Sequence, residues 1–335
     1  LAPKGIVNLG NTCYVNSCIQ ILSHIPKFIN ACMSESVRHP TKVEVNLWNN
    51  WINILKIIQS GSSNEMIHPN GFIRSIIQVT EHKKGFSFSE NEPGDANEFI
   101  LFMIETLHMC VCHDIDITIA GHAENGIDNL AIEVYKHMKS ELETNYSNIE
   151  MMFRGTRISC ISSVHSPYQH HSLQPETFKI LDLPIVNQSP STIYHSLSSY
   201  TQAELLDGNN QWYNEKTNQY EDVRKLTYIW SFPEILIISL NRNQSDGTKN
   251  DTYVQYPMVL DLQSYTHGYK KTDNIYDLVG VCVHLRQSPN GHITAFVKKE
   301  NNWYFCNDEV IQIIEKEEHL QTKYAHCLFY TKKNS

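Results

Sequence analysis

Apolar side chains recur at helical spacing along roughly the first 150 residues of the chain. The first such stripe predicts a helix over 12–25, which Pro26 ends. Its apolar positions lie three or four residues apart: Val15, Ile19, Leu22 and Ile25. Similar stripes predict three more helices, over 46–59, 95–109 and 130–142.

After about residue 150, short apolar runs alternate with turn residues. Four of these runs predict strands: TFKILDLPI, PEILIISL, DLVGVCVHL and HITAFVKK. The last of them leads into a turn at Glu300-Asn301-Asn302 and then a second apolar run, which predicts an antiparallel hairpin. A helical part followed by a mostly antiparallel sheet is an α+β arrangement. Because no repeat or long linker interrupts it, we expect one catalytic domain with lobes.

The composition limits the partners that the chain can bind. Its 335 residues, 41% of them hydrophobic, are enough for one large core. Lys and Arg number 27 against 36 Asp and Glu, so the formal net charge is -9. This charge disfavours nucleic acid and anionic membranes and suits a partner that presents basic groups. No run reaches the ~18 apolar residues of a membrane span, and no signal-peptide pattern begins the sequence.

The nine cysteines are an odd number scattered along the chain, which fits free thiols in the reducing cytoplasm or nucleus better than a disulfide framework. Cys13 differs from the others in its flanks, GIVNLGN and YVN. It lies at a predicted helix N-terminus, where unpaired N–H groups lower a thiol pKa and favour the nucleophilic thiolate. Asn11 or Thr12 can cap this helix, and Asn8 can aim an amide N–H at an oxyanion. Cys18, one turn later, is expected to be inert and buried.

A nucleophilic thiol needs a base, and the base needs a partner that orients it. His292 begins a predicted strand, and Asn307 and Asp308 follow across the hairpin. An amide oxygen or a carboxylate there can accept the Nδ1–H bond of His292 and set its tautomer. Strand alternation points Asp308 away from the face of Asn307 unless the backbone twists. The chain has 17 histidines, so the prediction depends on this placement and not on residue type.

Several motifs together resemble those of the ubiquitin-specific proteases, a family of papain-like cysteine deubiquitinases. GIVNLGNTCYVNSCIQIL is similar to their cysteine box, and HLRQSPNGHITAFVKKENNWYFCND to their histidine box. EPGDANEFILFMIETL resembles their acidic box, which it matches at Asp95, Ala96, Glu98 and Phe99. IWSFPEILIISLNRN and VQYPMVLDL resemble the strands before the histidine box. The matches run in family order from about residue 4 to 330.

The resemblance implies a papain-like fold with thumb, palm and fingers lobes, in a single catalytic domain over 1–335. The mainly helical thumb would span about 1–145, the fingers about 146–232 and the palm about 233–335. Ubiquitin, or proteins conjugated to it, would be the partner. The lobes would grip ubiquitin between them.

The resemblance also implies a role for each candidate site residue. Cys13 would attack the carbonyl carbon of the terminal glycine of ubiquitin, with His292 as base and then acid. Asn307 would orient the imidazole and Asn8 would stabilise the oxyanion, while Asp308 would support the oxyanion or the histidine.

The same resemblance places Asp95 and Glu98 on the tail of ubiquitin, whose arginines suit carboxylates. These two acids lie three apart at the start of a predicted helix. Taken without the resemblance, they would be ordinary acids that complement the helix dipole.

The metal-binding residues of the family are mostly missing. Members often carry two Cys-x-x-Cys pairs that bind zinc at the fingertips. This chain keeps Cys160, but Ser163, Asn214 and Thr217 stand at the other three positions. One ligand of four cannot hold tetrahedral zinc, even with the nearby histidines, so we expect no metal and no cofactor. The cluster HMCVCHD is expected to be structural or surface-exposed, because alternate cysteines at a helix end diverge.

Other departures fall near the expected site. Pro93 and Gly94 replace two glutamines, Ile293 replaces a tyrosine, Arg286 replaces a glycine and Asn243 replaces a phenylalanine. None removes a catalytic group, and together they predict altered tail recognition or slower turnover. Two alternatives remain: a protease for a ubiquitin-like modifier, and an inactive scaffold that binds ubiquitin.

Overall fold

The computed structural model describes residues 2–39, 42–60, 65–82, 88, 94–165, 170–244, 247–285 and 291–333. Within these ranges, seven helices precede the first strand. Their bounds are α1 Cys13–Leu22, α2 Pro26–Ser34, α3 Glu44–Gln59, α4 Asn70–His82, α5 Ala96–Val111, α6 Gly126–Leu142 and α7 Asn148–Phe153. A further helix, α8 Ile193–Thr201, lies among the strands. None of the described helices is long and apolar enough to cross a membrane.

The predicted helices over 46–59, 95–109 and 130–142 correspond to α3, α5 and α6. The prediction for 12–25 is wrong at its end, because α1 stops at Leu22. Pro26 begins α2, which the pattern did not predict. A proline suits the first turn of a helix, where its fixed φ fits and no N–H is needed. Helix α4 was also missed.

Sheet strands follow α7. Their bounds are β1 Gly155–Ser163, β2 His170–Phe178, β3 Ile180–Pro184, β4 Ser191–Thr192, β5 Glu204–Leu206, β6 Trp212–Asn214, β7 Gln219–Glu221, β8 Val223–Ser231, β9 Ile235–Asn241, β10 Val254–Gln255, β11 Val259–Asp261, β12 Ile275–Leu285, β13 His292–Lys299, β14 Asn302–Asn307, β15 Val310–Ile314 and β16 Ala325–Lys332. The predicted strands PEILIISL, DLVGVCVHL and HITAFVKK correspond to β9, β12 and β13. TFKILDLPI is divided between the end of β2 and β3.

The largest sheet of the described chain has eight strands in the order β15-β14-β13-β12-β16-β9-β3, with β11 also paired to β12. Its pairings are antiparallel except that of β3 with β9. A second, antiparallel sheet has the order β2-β1-β8-β5. The α+β prediction is confirmed.

Helix α1 packs directly on the large sheet and so carries its N-terminal residue to the hairpin of β13 and β14. Ile19 of α1 lies in the same buried apolar cluster as Ala295 and Val297 of β13. Gly280 of β12 makes the close approach possible, since a Cβ there would lie 2.6 Å from the Ile21 side chain. The helix and the sheet thereby form one rigid support for the site.

Buried His24, just after α1, makes stability depend on pH. Burial lowers its pKa from 6.5 to about 4, while its Nδ1 lies 2.7 Å from the carbonyl oxygen of Gln20. The folded chain therefore holds this imidazole neutral, and the unfolded chain protonates it more readily. Its contribution to stability is fully present above pH 6.5 and is lost as the pH falls through 6.5 towards 4.

We expect the free energy of unfolding to lose about 3 kcal/mol from His24 across this window. Urea unfolding at several pH values would measure it. In His24→Gln the loss should be smaller by that amount, whereas replacing exposed His319 by Gln should change nothing. If the free energy of unfolding fell equally with pH in His24→Gln and in the unmodified chain, the result would contradict this account.

Candidate active site

Cys13 is the first residue of α1, as predicted, and Thr12 occupies the N-cap position. The Thr12 hydroxyl does not cap the helix. It accepts a hydrogen bond from the Leu9 N–H at 3.0 Å and donates to Asn8 Oδ1 at 3.1 Å. It therefore fixes the loop before the nucleophile and leaves the first turn of α1 without a side-chain cap.

The Cys13 thiol is half-buried, and burial is the largest influence on its pKa. Burial and the negative charge of Asp308 raise that pKa, while a hydrogen bond from the Ile293 backbone lowers it. The N–H groups of Cys13 and Tyr14 at the helix terminus lower the pKa, as expected, but burial outweighs them and the net shift of the pKa is upwards. To act as a nucleophile, this thiol would therefore need a base that removes its proton.

His292 and Asn307 meet across the hairpin, as predicted. His292 begins β13 and Asn307 ends β14, whose pairing includes Ala295 opposite Cys306. The contact joins His292 Nε2 to Asn307 Oδ1 at 2.7 Å. The prediction that Nδ1 would make this contact is wrong, because the ring reaches across the hairpin with its far nitrogen. An amide oxygen only accepts, so Nε2 carries the proton and Nδ1, which diverges from it, is the basic nitrogen.

Asp308 lies on the same side as the histidine, because the backbone turns directly after β14. Its φ is +50°, a left-handed conformation that interrupts strand alternation. Its Oδ2 accepts from Asn8 Nδ2 and its Oδ1 from Asn16 Nδ2, both at 2.8 Å. The same Oδ2 is 4.0 Å from His292 Nε2. Asn307 is therefore the direct partner of the imidazole, and Asp308 is a charge just outside hydrogen-bonding distance.

The orientation of the Asn8 amide is fully determined by its neighbours. Its Oδ1 accepts from the Gly10 N–H at 3.1 Å and from the Thr12 hydroxyl, which turns Nδ2 towards Asp308. The Asn8 N–H donates to Glu309 Oε1 at 2.8 Å. One hydrogen of Nδ2 serves Asp308, and an amide nitrogen has a second that can serve an oxyanion.

Asp95 is the N-cap of α5. Its Oδ1 accepts from the backbone N–H groups of Asn97 and Glu98, at 2.7 and 3.1 Å. Both acids are exposed, and His326 Nε2 approaches Asp95 Oδ2 to 3.9 Å. The Cys18 thiol points to the carbonyl oxygen of Ala96 at 3.8 Å, so the start of α5 lies beside α1. The sequence pattern did not indicate that His326, on β16, would lie beside Asp95.

The departures from the family motif differ in their consequences. The ring of Tyr14 lies against Gly94, where even a Cβ would collide with it. Ile293 contributes through its backbone, whose carbonyl oxygen accepts from the Ser17 hydroxyl at 3.1 Å. Asn243 pairs with Lys249 in an isolated bridge. The two remaining departures, Pro93 and Arg286, lie outside the described residues.

At the four positions that match the zinc ligands of the family, the side chains make polar contacts with one another or with their neighbours. Cys160 Sγ lies 3.1 Å from His170 Nδ1. Glu221 Oε1 accepts from Asn214 Nδ2 at 2.9 Å and from the Thr217 hydroxyl at 2.7 Å. Ser163 Oγ accepts from the backbone of His165. Among the described side chains, no group of three or more His, Cys, Asp or Glu is arranged to hold a metal ion.

We expect elemental analysis of the purified chain to find far less than one zinc per molecule, because one thiol and one imidazole do not complete a tetrahedral site. Chelators should leave folding and activity unchanged. Cys160→Ser is the control, since it should leave any residual metal content unaltered. Stoichiometric zinc that disappears in this variant would show that a site exists at the fingertips.

A family model described as ubiquitin carboxyl-terminal hydrolase matches residues 4–330. Ubiquitin carboxyl-terminal hydrolase 16 of Arabidopsis thaliana is 25% identical over 340 residues, which cover 98% of this chain and 30% of that protein. The yeast SAGA DUB module aligns with a TM-score of 0.72 at 22% identity, over 100% of this chain and 69% of that one. A SAGA DUB module bound to ubiquitin aldehyde aligns with a TM-score of 0.69 at the same identity, over 100% of this chain and 70% of that one.

The likeness to the solved structures shows that the fold is that of deubiquitinase domains. The chain spans between 30% and 48% of the length of three curated relatives that it matches.

Proposed function

The chain belongs to the ubiquitin carboxyl-terminal hydrolase family, and from this we propose that it is a cysteine deubiquitinase. It would hydrolyse the peptide or isopeptide bond after the C-terminal Gly-Gly of ubiquitin. The observation that carries the proposal is the 2.7 Å contact between His292 Nε2 and Asn307 Oδ1. This contact leaves Nδ1 as the basic nitrogen of His292. The next residue, Ile293, hydrogen-bonds the Cys13 sulfur through its backbone.

In the first half of the reaction, His292 Nδ1 takes the proton of the Cys13 thiol as the sulfur attacks the carbonyl carbon of the terminal glycine. The carbonyl oxygen becomes an oxyanion, which accepts a hydrogen bond from the second hydrogen of Asn8 Nδ2. When the intermediate collapses, the C–N bond breaks and the imidazolium protonates the departing amine. The product is a thioester between ubiquitin and Cys13.

In the second half, a water molecule loses a proton to His292 and attacks the thioester carbonyl. The C–S bond breaks, the Cys13 sulfur regains a proton from the imidazolium, and ubiquitin leaves as a carboxylic acid, which releases its proton to solvent and becomes a carboxylate. Asn307 keeps Nε2–H directed at its amide oxygen through both halves. Asp308, at 4.0 Å, favours the imidazolium that forms twice.

The tail of ubiquitin would approach along the start of α5. Asp95 and Glu98 are exposed there and present carboxylates to the arginines of the tail. Asp95 uses Oδ1 for capping, so Oδ2, which faces His326 Nε2 at 3.9 Å, is the oxygen that would meet the tail. The net charge of -9 suits the same basic tail.

A second candidate is a protease for a ubiquitin-like modifier with a similar Gly-Gly tail. The observation that favours it is the ring of Tyr14 lying against Gly94, where even a Cβ would require Tyr14 to shift. The resemblance places a glutamine at this position in the family, so the contacts that this chain makes with the tail here would differ from those of a member with the glutamine. An inactive ubiquitin-binding scaffold is the third reading, and the intact group of Cys13, His292 and Asn307 argues against it.

We propose the lobe boundaries that the resemblance implies: thumb about 1–145, fingers about 146–232 and palm about 233–335. All nine cysteines are free thiols, which supports an intracellular location, in the cytoplasm or nucleus. Neither nucleic acid nor a membrane is proposed as a partner.

Matched fluorogenic substrates made from ubiquitin and from its relatives would test the proposal. Hydrolysis of the ubiquitin substrate alone supports a deubiquitinase, and a preference for a relative would establish the second candidate. A ubiquitin probe with an electrophilic terminus should label the chain once, at Cys13. Binding of ubiquitin without hydrolysis or labelling would identify a scaffold.

A further inference from the structure

We propose that Asn16 is a positioning residue, which ties the helix of the nucleophile to the carboxylate beside the base. The proposal rests on the proposed function and assigns a role to a residue outside the catalytic group. Asn16 lies in α1 three residues after Cys13, so both are on one face of the helix. Whatever Asn16 holds is therefore fixed relative to the nucleophile.

Asn16 is buried, with 1% of its surface exposed. Its Nδ2 donates to Asp308 Oδ1 at 2.8 Å and lies 3.4 Å from the carbonyl oxygens of Ile6 and Val7. Asn8 donates to the other oxygen of the same carboxylate. Each oxygen of Asp308 thus has its own amide donor, one from α1 and one from the loop that precedes it.

These two donors determine where the charge of Asp308 lies. The residue has a left-handed backbone and directly follows Asn307, so its position and that of the orienting amide are linked. Its Oδ2 is 4.0 Å from His292 Nε2, close enough that a small rotation would create or remove a direct contact. If Asn16 no longer donated, the carboxylate would compete with Asn307 for Nε2–H or draw the Asn8 amide away from the oxyanion.

Only a donor suits this position. A carboxylate in place of the Asn16 amide would face Asp308 across a buried contact, and two such groups retain one shared proton. The other titratable groups that face Asp308 in the described structure are His292 on β13, Cys13 on α1 and Glu309 beside it. With the proton present, the pair reproduces the native hydrogen bond. Without it, the two charges repel.

Kinetics of Asn16→Ala and Gln20→Ala would test the proposal. Gln20 is a matched control, since it is a buried amide on the same helix that donates to the Lys4 carbonyl oxygen at 2.6 Å, with no contact to Asp308. Asn16→Ala should lower kcat by about 100-fold with little change in KM, because a misplacement of about 1 Å near the reacting groups is that costly. Gln20→Ala should keep kcat. Equal losses in both variants, or no loss in Asn16→Ala, would overturn the proposal.

Asn16→Asp supplies a second readout that does not depend on how well Asn16→Ala folds. Its kcat relative to the unmodified chain should be highest at acid pH and fall by about tenfold or more as the shared proton is lost. In a variant that circular dichroism shows to stay folded across this pH range, a residue without influence on the base would give a ratio that is flat with pH. A flat ratio would therefore refute the positioning role.

The 15N chemical shift of His292 Nε2, measured at one pH by NMR of the 15N-histidine-labelled full chain, separates this inference from the proposed function. His292→Gln would assign the signal. Asn16→Ala should move this signal, because the carboxylate that lies 4.0 Å from Nε2 is released, and Gln20→Ala should leave it in place. If the unmodified chain hydrolysed no substrate, the proposed function would fail. An unchanged His292 signal in Asn16→Ala would contradict the role of Asn16 itself.

Discussion

Replacing Cys13 by alanine is expected to lower kcat on a ubiquitin substrate by about 10⁴-fold or more, to the background of the assay. The methyl group removes the sulfur that would form the thioester but changes little of the shape of the site. Binding of ubiquitin should therefore persist or become tighter. Burial raises the pKa of this thiol, so we expect its reactivity to depend on proton removal by His292.

Cys18 and Cys306 are the matched controls for the nucleophile. Both are buried free thiols near the site, and burial raises the pKa of each. Cys18→Ala and Cys306→Ala should keep their activity and should take up the electrophilic probe as the unmodified chain does. Activity in Cys13→Ala, or a probe adduct on one of the other two thiols, would remove Cys13 from the mechanism.

Replacing Asn307 by alanine should lower kcat by about 100-fold, with KM nearly unchanged. The 2.7 Å bond to Nε2 fixes both the orientation of His292 and its tautomer, and alanine removes that bond. Asn307→Asp should keep kcat within about fivefold of the unmodified chain, because a carboxylate accepts the same hydrogen bond and supports the imidazolium.

Asp308→Ala is the comparison that decides between the two neighbours. It should also reduce kcat, since the Asn8 amide would lose the acceptor that holds it near the oxyanion. A loss much larger than that of Asn307→Ala would reverse the assignment. Asp308 would then orient the base, and the contact of Asn307 would be dispensable.

Local chemistry was enough to predict much of the site. The placement of Cys13 at a helix start, and of His292 and Asn307 on facing strands of one hairpin, depends on spacings within about 20 residues. The roles of these residues in catalysis remain predictions. Four helices escaped prediction: α2, α4, α7 and α8. Three of them, α2, α7 and α8, have nine residues or fewer, so their apolar spacing is hard to recognise in the sequence.

The details that the sequence pattern could not supply are contacts between distant segments. The sequence offers Nδ1 and Nε2 equally, and the side-chain geometry across the hairpin selects Nε2 for Asn307. Strand alternation predicts that the Asp308 side chain lies on the face opposite to Asn307. Its left-handed backbone instead places the side chain on the same face as Asn307. The pKa of Cys13 rises because other elements bury the thiol and place the Asp308 charge near it. Neither effect can be inferred from the residues that flank Cys13 in the sequence.

By itself, the sequence determined the α+β order of elements, the helix that begins with Cys13 and the hairpin that pairs the strands of His292 and Asn307. Periodicity and turn chemistry act over a few residues, so they can be recognised without a fold. Only the tertiary structure decided that Asn16 and Asn8 share the carboxylate of Asp308, about 300 residues away along the chain. Hydrogen bonds of this kind need donor and acceptor atoms placed to within about an ångström, and the packing of α1 on the large sheet provides that placement. The order of residues alone does not specify it.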